Sequence, residues 1–191
     1  MGADGVRSVV RRFVLAGGLE PRYNGQSAFR VNIPREPEID QIVLQAGPTG
    51  MAGFVPIGQD LAYLFLNIPW DRSLRPSQDK LLAVLREKLA PFGGLTGRIR
   101  DTYIDDPAAI VFRPEEYLIA PGPWHRGRVV LVGDAVHSVT PHLGQGAAQA
   151  IEDGVVLAAE LGASAAADAD VDDALTRYVA RRVMETMALP L

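Results

Sequence analysis

The chain has 191 residues, 48% hydrophobic and 22% charged, the balance of a folded globular protein with a real core. Nineteen Lys and Arg against 23 Asp and Glu give a net charge of −4, without the basic footprint of a general nucleic-acid binder. No cysteine is present, which excludes disulfides, Cys-ligated metal or iron–sulfur sites and cysteine nucleophiles.

No apolar run reaches the length of a transmembrane helix, so no membrane span is expected. Asp4 stands where a secretory signal would be basic and then apolar, so a cytoplasmic location is expected. Asp4-Gly5 is a turn signal. Val6, Val9, Val10, Phe13 and Val14 then recur at helical spacing, which predicts a short helix over Val6–Leu15 stopped by Gly17-Gly18. Gly2 to Gly5 reads as a turn that should follow a strand, and the chain is expected to begin inside a fold.

From Tyr23 to Asn67 the period shifts towards two. Residues 28–33, 41–46, 51–57 and 61–67, separated by Gly, Pro and Asp turns, predict an antiparallel meander. In the last of these, Leu61, Tyr63 and Phe65 share one face and Ala62, Leu64 and Leu66 the other. A helix is predicted from Pro76 or Ser77 to Leu89, with Leu81, Leu82, Leu85 and Leu89 as its stripe. Arg98–Ile104 and Ala108–Phe112 are predicted as short strands.

Arg128 to Val132 is a continuous apolar run of the kind found in buried parallel strands, and Gly133-Asp134 sits at its carboxyl end. A loop to Leu143 follows, and Gly144-Gln145-Gly146 opens a helix whose predicted core stripe is Ile151, Val155, Ala158 and Leu161. Ala163–Ala169 reads as a low-complexity linker, and Asp172 as the cap of a last helix from Asp173 to Met187.

In open α/β sheets ligands bind beyond the carboxyl ends of the strands, where Asp134 stands. Its carboxylate can accept hydrogen bonds from ligand hydroxyls, and Gly133 lets a ligand approach the backbone. The first amides of a helix lack internal partners and carry partial positive charge, so Gly144 and Gly146 leave them open to an anion or a carbonyl. The spacing is neither a P-loop nor G-x-G-x-x-G, which argues against a diphosphate cradle here and leaves room for a flat cofactor's ring carbonyl. Taken singly, Gly133-Asp134 can be a strand-end turn and the later glycines a tight loop. Asp134, His137 and His142 share one loop without helical alignment, so no metal site is expected. No G-x-S-x-G elbow occurs, and no catalytic acid or base can be named.

Residues 127–154, from Gly127 through Gly133-Asp134 to Gly144-Gln145-Gly146 and Gly154, resemble the second flavin motif of the FAD-dependent aromatic hydroxylases. These are the group-A flavoprotein monooxygenases with the p-hydroxybenzoate hydroxylase fold. Residues 2–11 resemble that family's Asp-Gly motif, and residues 53–58 and 61–67 fit its substrate-domain sheet. The resemblance implies a mixed α/β (α+β) fold: a partial FAD-binding α/β domain from residues 1–18 and 107–191, and an antiparallel-sheet substrate domain over residues 19–106.

It further implies that Asp134, beside Gly133, binds FAD hydroxyls, and that the loop from Pro141 through Gly144, Gln145 and Gly146 lies beside the isoalloxazine. Asp4 and Arg11 would belong to the motif joining the dinucleotide site to the rest, which the family links also to the nicotinamide cofactor. A simpler reading has Asp4 capping the first helix and Arg11 paired with it. Phe54, Tyr63 and Phe65 would line the substrate side, or else pack in the core. The implied reaction is hydroxylation of a small aromatic molecule with NADH or NADPH and oxygen.

Relatives begin with a strand, a G-x-G-x-x-G turn and a helix that this sequence lacks. The chain is therefore expected to be a C-terminal portion that holds FAD weakly or not at all by itself. Homodimerisation or association through an exposed sheet edge is expected as well. Two alternatives stay open: a non-catalytic fragment or subunit, and a flavin oxidoreductase of the same fold that does not hydroxylate.

Overall fold

The computed structural model describes residues 1–16 and 18–187. In chain order the elements are α1 (Val9–Val14), β1 (Arg22–Pro34), β2 (Val43–Gly47), β3 (Gly50–Pro56), β4 (Leu61–Pro69), α2 (Leu81–Leu89) and α3 (Gly94–Tyr103). They continue with β5 (Val111–Ile119), β6 (His125–Arg126), β7 (Val129–Val130), β8 (His137–Ser138), α4 (Gly146–Ala166) and α5 (Val171–Met187). The chain divides into one unit of residues 1–24 and 116–191 and a second of residues 25–115.

The second unit is a layer of antiparallel strands under two helices. Strands pair in the order β2-β3-β4-β1, so the hairpins of β2, β3 and β4 close back onto β1 rather than forming a plain meander. Alternation puts Phe29, Val31, Ile33, Phe54, Ala62, Leu64 and Leu66 on one face. These pack against Leu81, Leu85 and Leu89 of α2 and Ile99 of α3, a dry cluster in which each large side chain contributes about 1.5–3 kcal/mol.

The other face of the strands is half open. There Arg30 pairs with Phe65 and Asn32 with Tyr63 across β1 and β4. Phe65 lies over Gly53, where a Cβ would stand 2.4 Å from the Phe65 ring, so only glycine fits beneath it. Phe54, grouped with Tyr63 and Phe65 from the sequence, belongs to the opposite face. It pairs with Leu64 and is 1% exposed, a core residue.

Residues 98–103 are helical, not extended. Gly94 takes a left-handed φ of +58° and starts α3, whose Thr96, Gly97 and Ile99 are buried. The β-branched residues that favoured a strand are overridden by this burial and by the Thr96 Oγ1 donation to Gln45 Oε1 at 2.6 Å. The stretch at 108–112 is part 3₁₀ turn (Pro107–Ala109) and part strand, because Asp106 caps the turn through Ala108 N at 2.8 Å.

The first unit packs α4 on α5 around Trp124, Leu131, Val136, Val156, Leu157, Leu175 and Tyr178. Four expectations are corrected here. Helix α1 is shorter, beginning at Val9 after a turn at Val6-Arg7, and Gly17 lies outside the described residues. The apolar run at 128–132 is not a long parallel strand: Val129–Val130 pair with His125–Arg126, and Leu131 makes a parallel bridge with Gly2. Helix α4 continues to Ala166 through half of the expected linker, and Asp170 rather than Asp172 caps α5, accepting from Asp172 N at 3.1 Å.

The fourth concerns the buried face of α4. Ile151 and Val155 are 68% and 65% exposed, whereas Asp153, Val156, Leu157 and Ser164 are buried. The inward stripe is therefore rotated from the expected one. Leu157→Ala should cost about 2–4 kcal/mol in chemical denaturation. Ile151→Ala should stay within about 0.5 kcal/mol.

Candidate flavin site

Asp4 opens the amino-terminal part of the site by capping α1. Its carboxylate accepts from Ser8 Oγ and from the Val9 and Val10 amides, at 2.7 and 3.2 Å for the amides. The Ser8 hydroxyl first, and the two amides after it, hold this carboxyl below the usual range. Arg11 does not turn back to Asp4. Only 2% exposed, it donates to the carbonyls of Val6 at 2.8 Å, Leu19 at 2.9 Å and Ala135 at 2.8 Å. The Asp-Gly segment is thereby tied to the residue that follows Asp134.

Gly133–Ala135 form a 3₁₀ turn after the extended residues 129–132. Gly133 is buried with a φ of +58°, and a Cβ there would stand 3.1 Å from the Cβ of Ala150. Glycine is required on both counts, and its absence of a side chain lets the turn sit directly on the first turns of α4. Asp134 itself is exposed. The turn thus lies against α4 at Ala150 and Asp153, with the Asp134 carboxylate left exposed.

The segment Pro141–Leu143 is another 3₁₀ turn, closed by Gly144 in the left-handed region and by its N–H to Pro141 O at 3.0 Å. Gln145 caps α4 with no side-chain bond to the helix, and the first internal bond shown runs from Gln149 N to Gln145 O at 3.0 Å. The amides of Gly146, Ala147 and Ala148 precede it, at the positive end of a 21-residue helix. Gly144, Gln145, Ala147 and Ala148 are exposed, and small side chains leave the backbone accessible. An acceptor for hydroxyls thus stands on a turn packed on α4, and a set of donors for a carbonyl or an anion at the amino-terminal end of that helix. That donor set fits the ribityl chain and ring carbonyl edge of a flavin.

Beneath these groups lies a cluster the sequence reading passed over. Asp153 is fully buried; its Oδ2 accepts from Gly133 N and from His137 Nε2, both at 2.6 Å, and its Oδ1 from Arg182 Nε at 2.8 Å. Arg182 also donates to Gln149 Oε1 at 2.6 Å, to Glu152 Oε2 at 2.9 Å and to Glu185. Burial alone would raise the Asp153 carboxyl, but the bonds from His137, Gly133 and Arg182 outweigh it and hold it low. Burial, then the Asp153 charge, push Tyr178 up, and its hydroxyl donates to Leu131 O at 3.2 Å.

His137, weighed from the sequence as a loop ligand, is 1% exposed and belongs to this cluster. His142 is exposed, its Nδ1 3.0 Å from Thr140 Oγ1. Trp124 is a core residue: Nε1 donates to Ala120 O at 2.8 Å, and its ring lies against His137 and Tyr178. The one signal that pointed to Asp153 is an acid on the inward face of an otherwise apolar helix. Elsewhere in the same unit a cleft of about 450 Å³ is lined by Leu19, Glu20, Arg22, Tyr117, Ile119 and Pro121, none of them singled out from the sequence.

Gly133→Ala should destabilise the protein by about 1–2 kcal/mol through the left-handed φ alone, read from denaturant titration. Because the Asp153 carboxyl lies below its unfolded value, its contribution is complete above about pH 4 and is lost as pH falls through the folded value. Melting temperature against pH should show this acid limb, and Asp153→Asn should flatten it.

A family model described as an FAD binding domain matches residues 119–189. The aurachin C monooxygenase/isomerase of Stigmatella aurantiaca is 34% identical over 186 residues, covering 96% of this chain and 46% of that protein. The FAD-dependent urate hydroxylase of Mycolicibacterium vanbaalenii is 31% identical, over 82% of this chain and 40% of the relative. Among solved structures, Klebsiella pneumoniae HpxO complexed with FAD and uric acid superposes with a TM-score of 0.86 at 28% identity, over 97% of this chain and 47% of that one. Pseudomonas aeruginosa PqsL in complex with 2-aminobenzoylacetate gives 0.81 at 29% identity, over 98% and 51%. The chain spans about half the length of the curated relatives it matches. Over that half, the chain is similar in sequence and in fold to FAD-dependent monooxygenases of the p-hydroxybenzoate hydroxylase fold.

Proposed function

We propose that this chain carries the flavin-ring side of an FAD site in a monooxygenase that hydroxylates a small aromatic or heteroaromatic molecule with NADH or NADPH and oxygen. The observation that carries the reading is the exposed Asp134 carboxylate on a turn whose Gly133 is fixed against α4, the helix whose first amides lie open. The exposed carboxylate suits ribityl hydroxyls, which need an acceptor. The free amides of Gly146 to Ala148 suit the N1–C2=O edge of the ring system, where negative charge gathers on reduction. Bound FAD would supply the redox chemistry; this chain's residues bind, orient and bias charge.

The relatives support the substrate class without fixing it. One is a urate hydroxylase and one solved neighbour holds uric acid, both flat nitrogen heterocycles. In this chain the half-open sheet face with Tyr63 and Phe65 is the surface suited to such a ring; Phe54 takes no part in it. Asp4 and Arg11 support the site through α1 and the Ala135 carbonyl. Cytoplasmic residence, self-association and NAD(P)H use belong to the same reading; no described helix is long and apolar enough to cross a membrane.

Titration of FAD into the purified chain, followed by flavin fluorescence, tests it. Weak binding, approaching saturation only at high FAD concentration, is expected, and Asp134→Ala should weaken it about tenfold with the melting temperature unchanged, since the side chain is exposed. Equal affinity in the variant and the parent chain would overturn the assignment.

A further inference from the structure

We propose that Asp153 is a positioning residue: a buried carboxylate that locks the Gly133–Asp134 turn and the first turns of α4 into one rigid flavin-contacting surface, with His137 and Arg182 as its fixed donors. The proposal rests on the FAD reading for its purpose, but the lock is a property of this chain alone.

The Gly133 amide begins a 3₁₀ turn and is buried. A buried N–H without a partner is costly, and here the partner comes from 20 residues further along the chain, the Oδ2 of Asp153. That bond sets the direction of the peptide leading into Asp134. Asp153 lies seven residues into α4 from Gly146, two helical turns, and so on the same side as the helix start. One carboxylate therefore fixes the distance between the hydroxyl-accepting group and the open amides. A flavin that uses both requires that distance to be constant.

The remaining bonds keep the carboxylate from moving. His137 Nε2 donates to the same Oδ2, so the ring must carry its proton on Nε2, and among the described residues its buried Nδ1 has no hydrogen-bond partner. The ring has no second bond that could pull it away. On the other side Arg182 donates to Oδ1, to Gln149 O at 3.2 Å and to Gln149 Oε1. It thereby braces the first and second turns of α4 from α5. The Arg182 side chain is 1% exposed, and its charge is matched by Asp153 within and by Glu152 and Glu185 at the rim. None of these three residues touches the surface on which FAD is proposed to lie; they act through Gly133 and through α4.

The test uses the full chain, with and without FAD. Exchange of the Gly133 amide is read by ¹⁵N NMR, FAD affinity by fluorescence well below the melting temperature, and stability by thermal melting. In Asp153→Asn the Gly133 amide should exchange about tenfold faster or more, and FAD affinity should fall about tenfold. His137→Gln keeps a donor where Nε2 stands and should hold both values within about threefold, whereas His137→Leu should behave as Asp153→Asn does. If Asp153→Asn does not fold, the His137 pair carries the same comparison. Leu157→Ala is the control: it should lower the melting temperature without a selective change at Gly133 or in affinity. Unchanged Gly133 exchange in Asp153→Asn or His137→Leu would overturn the lock, as would affinity losses that merely track melting temperature across all variants. Equal FAD affinity in Asp134→Ala and the wild-type chain would overturn the flavin reading instead, with the exchange comparison still deciding the lock.

Discussion

The first unit is organised around one buried negative charge. Removing a carboxylate from water costs several kcal/mol, and breaking such a pair by deleting one partner typically costs about 3–5 kcal/mol. Asp153 is therefore tolerable only because every donor around it is in place: an amide, an imidazole and a guanidinium, at 2.6, 2.6 and 2.8 Å. These donors come from the Gly133 turn, from β8 and from α5. The requirement to satisfy one carboxylate forces three separate elements to take fixed places against α4. Apolar packing of Val156, Leu157 and Leu175 could hold α4 on α5, but it is non-directional and would tolerate sliding. The charged cluster removes that freedom.

Burial and exposure are divided accordingly. The groups fitted to a ligand, the Asp134 carboxylate and the amides at the start of α4, lie at the surface, where they remain solvated until something binds. The groups that orient them are buried and saturated with hydrogen bonds. Arg11 repeats the pattern on the other side of the turn, spending its donors on the carbonyls of Val6, Leu19 and Ala135. Asp134 is thus flanked by two anchored neighbours, Gly133 through Asp153 and Ala135 through Arg11. A loop carrying function on a rigid base is the usual answer to the need for precise placement without burying the binding group.

Much of this was legible in the residues. Short alternating segments between Gly and Pro turns pointed to the antiparallel strands, and Gly133-Asp134 with Gly144-Gln145-Gly146 pointed to the turn and the helix start on which the candidate site is proposed. What escaped was whatever depended on long-range partners. Nothing local tells that Asp153 on α4 meets Arg182 on α5, 29 residues on, or that the Gly133 amide needs Asp153. Residues 98–104 were expected as a strand, yet burial of Ile99 in the cluster with Phe92 and Leu89 goes with a helix that runs to Tyr103. Phe54 could not be separated from Tyr63 and Phe65 before the register between β3 and β4 was known. Alternation within a strand gives two faces, but only pairing says which residues of neighbouring strands share one.

Helix α4 shows why periodicity chose the wrong side. It is apolar on two faces, and a pattern search cannot rank them. One face, carrying Val156 and Leu157 with Asp153 among them, meets the core of its unit. The other carries Ala147, Ile151 and Val155 at four-residue steps and is exposed from the helix start onward. The outer face is the stronger of the two by hydropathy, because the inner one includes an acid and Ser164. Placing an acid on the inner face weakens its apolar signal while making its geometry stricter. The feature that misdirected the pattern is thus the same carboxylate that fixes the site. A buried charge with a full set of donors is nearly invisible to hydrophobic periodicity and dominant in the folded structure.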